Sequence, residues 1–274
     1  MMKQRVLTGL LLAAVLLTLL WIGGAALGIA IAATICLGIY EEYHALSITG
    51  KRPVSWPTWA GMALSIPMLL TTSAQMVIPL LMTICLVTLT CVLFRKQPSL
   101  EDALISMLPL FTVALPGMCL ISLLLVEPTQ VRLTLLFLLF AIPCVGDIAA
   151  LLVGRAVGGP ELCPAVSPNK TISGSLGGLT GSVLAAMLVW GIAHLICSPA
   201  VEPLLPAWWH CLLLGVVGGA VGQIGDLCFS MIKRHCGLKD YSNIFPGHGG
   251  MLDRLDSILF MAMVMFCYRM ILTL

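Results

Sequence analysis

From Val6 to Tyr40 the chain runs for 35 residues without a charged side chain or a histidine. As one α-helix that run would be about 52 Å long at 1.5 Å per residue, whereas the hydrocarbon core of a bilayer is about 30 Å thick. A single crossing cannot use that length, so the run must turn back, most simply at Gly23-Gly24. Its positive start, Lys3 and Arg5, resembles that of a signal peptide, but the run far exceeds the roughly 7 to 15 residues of a signal core. It reads as an uncleaved membrane anchor.

The same character continues through the chain. Hydrophobic residues make up 59% and charged residues 9%, against about 25% charged in soluble domains. A spanning helix needs roughly 17 to 25 mostly apolar residues. Nine stretches qualify: Val6 to Ile22, Gly24 to Tyr40, Trp56 to Thr72, Gln75 to Phe94, Ala103 to Val126, Val131 to Val153, Gly174 to Cys197, Leu205 to Cys228 and Ser257 to Thr273. The expected fold class is all-α, a polytopic integral membrane protein of about nine transmembrane helices.

Lys and Arg accumulate in cytoplasmic loops. With nine spans starting inside, twelve of the basic residues fall on one side and only Arg132 and Arg269 on the other, which puts the N-terminus in the cytoplasm. The longest links, 41–55, 154–173 and 229–256, then lie on the cytoplasmic side. The organisation expected is a single helical membrane domain over 1–274. Spans 1 to 5 occupy 1–130, and 131–274 carry the chemistry at the cytoplasmic face.

A formal charge of +2 with no polybasic tail gives no basis for a nucleic-acid partner. The eleven cysteines are scattered, without a CxxC and mostly within apolar runs; they read as small buried hydrophobes. Charge is instead concentrated locally. Asp147 and Asp226 sit in or near the ends of apolar helices, where an acid is costly unless it faces a polar cavity or a partner. Glycines in "GSLGGLTGS" and "GVVGGAVGQIGD" permit close helix contact in lipid or close backbone approach to a phosphate.

The densest segment is "SMIKRHCGLKDYSNIFPGHGGMLDRLDS", residues 230–257, which holds seven of the 26 charged residues. Lys233, Arg234, Lys239 and Arg254 suit phosphate oxygens, Arg as a fork and Lys as a point charge. Asp226, Asp240, Asp253 and Asp256 supply hard oxygen ligands of the kind Mg²⁺ uses together with substrate phosphates. Acids and bases interleaved in this way point to a metal and phosphate site. With a final helix starting near Asp253, Asp253 and Asp256 share a face. The "FPGHGG" turn can aim backbone N–H groups, or His248, at an anion. Glu41, Glu42 and His44 in "EEYHAL" read as an acidic interfacial helix end and stand outside the site.

These residues closely resemble the signature of the phosphatidate cytidylyltransferase (CDP-diacylglycerol synthase) family. Ser230, Lys233, Arg234, Lys239, Asp240, Pro246, Gly247, His248, Gly249, Gly250, Asp253, Arg254 and Asp256 occupy all 13 fixed positions of the family pattern. The likeness extends to Gly225-Asp226, to Asp147 with Gly154-Arg155, and to "SPNKT" at Ser167 to Thr171. Asn169, Ser173 and Phe229 depart from it, where the family often has Lys, Glu and Glu.

The resemblance implies transfer of the cytidylyl group of CTP to phosphatidate, giving CDP-diacylglycerol and pyrophosphate at the cytoplasmic face of the inner membrane. It implies Mg²⁺ held by Asp226 and Asp253, with a second cation also compatible and Asp256 a further ligand or orienting group. Lys233, Arg234, Lys239 and Arg254 then neutralise phosphates. Ser230, His248, Gly249, Gly250, Lys170, Arg155 and Asp147 complete substrate binding, and a homodimer is expected. The residues alone leave two alternatives open: a CTP-dependent lipid or polyprenol kinase sharing the same phosphate chemistry, and an ion-coupled transporter with Asp147 and Asp226 on an ion path.

Overall fold

The computed structural model describes residues 2–71, 76–245 and 249–272. In lipid the backbone must satisfy its own hydrogen bonds, which leaves helices as the economical solution for apolar segments. Among the described residues, each of the nine apolar stretches falls largely on helix. The helices are α1 (Met2–Ile22), α2 (Gly24–Ile48), α3 (Trp56–Thr71), α4 (Val77–Leu93), α5 (Leu100–Pro109), α6 (Leu115–Leu123), α7 (Thr129–Val157), α8 (Ile172–Ile196), α9 (Trp208–His235) and α10 (Leu252–Leu272). A π-helical turn, Leu110–Ala114, joins α5 to α6. It follows Pro109, whose missing N–H already interrupts the helical ladder.

Among the described residues, six helices are long and apolar enough to cross a membrane: Gly24–Ile48, Leu100–Leu123, Thr129–Val157, Ile172–Ile196, Glu202–His235 and Leu252–Leu272. Several helices outrun their apolar stretch. The tail of α2 reaches Ile48 because "EEYHALSI" keeps helix-compatible residues beyond the last apolar turn. At the other end of the chain, α9 continues to His235, and α10 begins at Leu252, placing Asp253 in its first turn. The link after α7 also holds a short antiparallel hairpin that the apolar pattern does not announce, β1 (Glu161–Cys163) with β2 (Ser167–Thr171).

The chain divides into two compact units, Met1–Ser122 with Lys233–Leu255, and Leu123–Ile232 with Asp256–Leu274. Residues 233–255 thus group with the first 122 residues. In the first unit α2 presents Leu27, Ile31, Ile35 and Ile39 to the core, an i, i+4 stripe of one helix face. Ile35 lies so near Gly117 that a Cβ there would come within 2.6 Å of it. Below this stripe Tyr43 meets Thr58 Oγ1 at 2.7 Å and donates to the Ser106 carbonyl at 2.9 Å.

The second unit is built on close approach at small residues, as the glycine runs suggest. Along α9, Gly215 and Gly219 face α8: a Cβ at Gly215 would lie 2.7 Å from Val183 Cα, and one at Gly219 2.7 Å from Ser182 Cβ. Gly225, on another face of α9, meets α10; a Cβ there would lie 2.7 Å from the Phe260 ring and 2.8 Å from the Asp256 carbonyl. Gln223 adds a polar tie, accepting from Ser175 Oγ and donating to the Ser175 carbonyl.

Candidate active site

In the second unit, β2 delivers Lys170 to Asp226. The hairpin ends at Thr171, whose Oγ1 accepts the Gly174 N–H at 3.1 Å and caps the start of α8. Ser and Thr are good N-caps because their side-chain oxygens satisfy an N–H that the helix leaves without a partner. Immediately before this cap, Lys170 pairs with Asp226 Oδ2. One turn further along α9, Ser230 Oγ donates to Asp226 Oδ1 at 3.4 Å. The pair keeps access to solvent, with Lys170 29% and Asp226 24% exposed at the side chain. In the same unit Ser257 Oγ lies 3.2 Å from Asp147 Oδ2 and 3.3 Å from Asp256 Oδ1, so these two acids converge on one hydroxyl.

In the first unit the chain leaves α9 through a Schellman turn. The Leu238 N–H donates to the Lys233 carbonyl at 2.8 Å, and the Gly237 N–H to the Arg234 carbonyl at 3.0 Å. Gly237 has φ +69°, the left-handed region this motif requires. Arg234 turns back to donate to the Leu238 carbonyl at 3.2 Å. The turn brings the chain round to Tyr241, whose N–H donates to Asp253 Oδ2 at 2.9 Å, as does that of Gly250 at 2.9 Å. Asp253 Oδ1 takes the Lys233 ammonium at 2.6 Å. This pair is buried, Lys233 11% and Asp253 3% exposed at the side chain, and the ammonium lies 5.6 Å from the Tyr241 ring centroid.

Gly249 and Gly250 leave room for these contacts. A Cβ on Gly249 would sit 2.7 Å from Asp253 Oδ2. Lys239, Asp240, Arg234, Arg254 and Arg155 are exposed. His248, with Pro246 and Gly247, lies outside the described residues. Cys236, at the end of α9, is no thiolate in waiting: burial, reinforced by the Glu42 carboxylate, pushes its thiol up.

The carboxylates suit a divalent cation in one specific respect. Asp226 Oδ2 and Asp253 Oδ1 each face a lysine ammonium, so a cation already stands against each oxygen, held by a flexible stem. Among the described residues no three His, Cys, Asp or Glu side chains are grouped to hold a metal. Mg²⁺ does not require such a cage, since it commonly takes one or two carboxylates together with substrate phosphates and water.

Residues 3–272 match the cytidylyltransferase family. The chain belongs to this family. Among the relatives of this cytidylyltransferase-family protein are several named phosphatidate cytidylyltransferase. The one from Brucella suis is 32% identical over 269 residues, covering 97% of this chain and 93% of the relative. That from Bacillus subtilis is 32% identical over 94% of each. A phosphatidate cytidylyltransferase of Staphylococcus epidermidis reaches 40% identity over 121 residues, 44% of this chain.

Sequence reasoning left one residue of this family member outside the site. Glu41, on α2, is 2% exposed, and its carboxylate accepts from Ser242 Oγ at 2.5 Å, Met251 N at 3.1 Å and Leu252 N at 2.7 Å. Its neighbour Glu42 takes Thr112 Oγ1 at 2.7 Å, and His44 stacks on Tyr40 with ring centroids 5.9 Å apart. The three side chains do not form a metal site. The only signal in the sequence is two carboxylates at the end of an apolar helix.

Proposed function

We propose that the protein is a phosphatidate cytidylyltransferase of the inner membrane, with CTP and phosphatidate as substrates and its active site at the cytoplasmic face. Similarity over nearly the whole chain supplies the reaction. The observation that carries its chemistry is that Lys170–Asp226 and Lys233–Asp253 hold acid and base in contact. In a substrate-free enzyme each charge needs a partner. The two lysines are placed to receive phosphate oxygens of a nucleotide and a lipid phosphate, and the carboxylates they face would then be available to a divalent cation.

In this reading a phosphatidate oxygen attacks the α-phosphorus of CTP. A new P–O bond forms, the bond to the bridging oxygen breaks, and pyrophosphate leaves with that electron pair. No side-chain nucleophile is needed. The chain acts by positioning and by charge placed before the reaction begins. Lys233, Arg234, Lys239 and Arg254 neutralise phosphates, with Lys170 and Arg155 assisting. Ser230 donates to Asp226 and, with Asp147, Gly249, Gly250 and His248, serves substrate binding, while Asp256 is a further ligand or orienting group. Asp226 and Asp253 hold the divalent cation, a second cation being compatible with the same donors. Bound there, it supplies Lewis-acid stabilisation of the phosphate charge.

Nine spans with a cytoplasmic N-terminus, catalytic helices within 131–274 and a homodimer complete the reading. The span count and orientation are supported by the partition of basic residues. The purified protein, given CTP, phosphatidate and Mg²⁺, is expected to release CDP-diacylglycerol and pyrophosphate in equal amounts. Phosphorylated lipid with CDP as product would favour a kinase instead. No liponucleotide under any divalent-cation condition would sink the proposal.

A further inference from the structure

Helix α10 starts at Leu252, and the residue before it is Met251, which has no side-chain oxygen to cap the exposed N–H groups of a helix start. Glu41 takes that role from a position more than 200 residues away in sequence, accepting the Met251 and Leu252 N–H groups and the Ser242 hydroxyl. Its negative charge also suits the positive end of the α10 dipole. Helix α2 aims it there: Gly38, one turn earlier, lies close enough to Leu252 that a Cβ would sit 3.4 Å from Leu252 Cδ1. At Gly250 the approach is closer still, because a Cβ would lie 2.6 Å from Glu41 Oε1 and 2.8 Å from Ser242 Oγ.

The fixed segment is the one that sets Asp253. The Gly250 N–H and the Tyr241 N–H both hold Asp253 Oδ2, which leaves Oδ1 directed at Lys233. Glu41 thus grips residues 242, 251 and 252, directly after the two donors, 241 and 250, that orient the carboxylate. A carboxylate 2% exposed would be costly without partners, and among the described residues its hydrogen bonds go to Ser242, Met251 and Leu252.

We propose that Glu41 is a positioning residue for cytidylyl transfer: from α2 it clamps Ser242, Met251 and Leu252 and thereby sets the orientation of Asp253 for Lys233 and substrate. This rests on the reading that Asp253 and Lys233 act in the reaction. Glu41 itself touches neither substrate.

The test uses the full-length protein in lipid nanodiscs, with steady-state kinetics against CTP and phosphatidate and hydrogen exchange of the peptide covering 249–255. Glu41→Gln keeps the shape but loses the charge, and kcat should fall about tenfold. Glu41→Ala frees the segment; since misplacement by about 1 Å can cost on the order of a hundredfold, its kcat should fall further. In both variants KM for phosphatidate should stay within about twofold, and exchange at 249–255 should speed up. Gly250→Ala, which pushes on the clamp from the other side, should reproduce the kcat loss even where Glu41→Ala does not insert. Wild-type kcat in Glu41→Gln and Gly250→Ala would overturn the proposal, as would a loss confined to KM or unchanged exchange. Asp253→Asn separates the underlying reading. If Asp253→Asn keeps wild-type turnover, the role given to Asp253 fails, and a kcat loss in Glu41→Gln would then have to arise by another route.

Discussion

Lys170–Asp226 and Lys233–Asp253 use the same two side chains and differ in what surrounds them. The first leaves 29% and 24% of its side chains exposed, the second 11% and 3%. Among the described residues, Asp226 has beside its lysine a long Ser230 hydrogen bond of 3.4 Å on its own helix. Asp253 is gripped by two backbone N–H groups from a loop, and that loop is held in turn by Glu41. An exposed pair gains little, because water and salt compete for both charges. A buried pair is costly to break, because the remaining charge has no substitute partner. The contrast gives the proposed site two kinds of carboxylate: Asp253 is fixed by its surroundings, and Asp226 stands where solvent reaches it.

The sharpest way to break this contrast is Asp253→Asn. An amide in place of Oδ1 or Oδ2 faces either the Lys233 ammonium or two N–H donors with an N–H of its own, and no flip satisfies both. Removing one preorganised charge-stabilising group costs about 10² to 10³ in kcat, and burial puts Asp253 at the upper end, with turnover near the floor of the assay. Membrane insertion should persist, because the apolar helices do not depend on the pair. Wild-type turnover in this variant would end the assignment of Asp253.

Asp226→Asn tests the other member. Solvent can fill in around it and Ser230 can still donate, so kcat should fall by about 10², the lower end of the same range. The Mg²⁺ concentration giving half-maximal rate should also rise, as it must when one of two proposed ligands loses its charge. A loss equal to that of Asp253→Asn, with the Mg²⁺ midpoint unmoved, would show that the difference in burial carries no functional meaning.

The two pairs also mark how far a sequence can be read. Apolarity is a property of the residues themselves, so the positions of the helices in this chain are written in runs such as Val6 to Tyr40. Helix ends are less legible. The apolar run stops at Tyr40, but helix α2 continues to Ile48, because nothing in "EEYHALSI" breaks a helix. Lys233 and Asp253 are 20 residues apart within one dense motif, which marks both as candidates. Glu41 was not, since its partners at 251 and 252 lie at the far end of the chain and only packing brings them together. Hairpin β1–β2 was missed for a related reason: it is short, and its role is to present Lys170, which no local pattern states.

That hairpin supplies the mildest test of the comparison. Thr171 closes β2 and caps α8, so it stands between Lys170 and a rigid helix. Thr171→Ala removes the oxygen that accepts the Gly174 N–H, a loss of about 1 kcal/mol for a typical N-cap. Thr171→Ser keeps an acceptor and should restore most of it, a difference readable as thermal midpoints of the two variants in the same detergent. The strand register through Glu161 and Thr171 is made by backbone atoms and survives the change, so Lys170 should still reach Asp226. Turnover should therefore fall far less than in Asp226→Asn. If it falls as much, Lys170–Asp226 depends on its scaffold as strictly as Lys233–Asp253 does, and the contrast between the two pairs is lost.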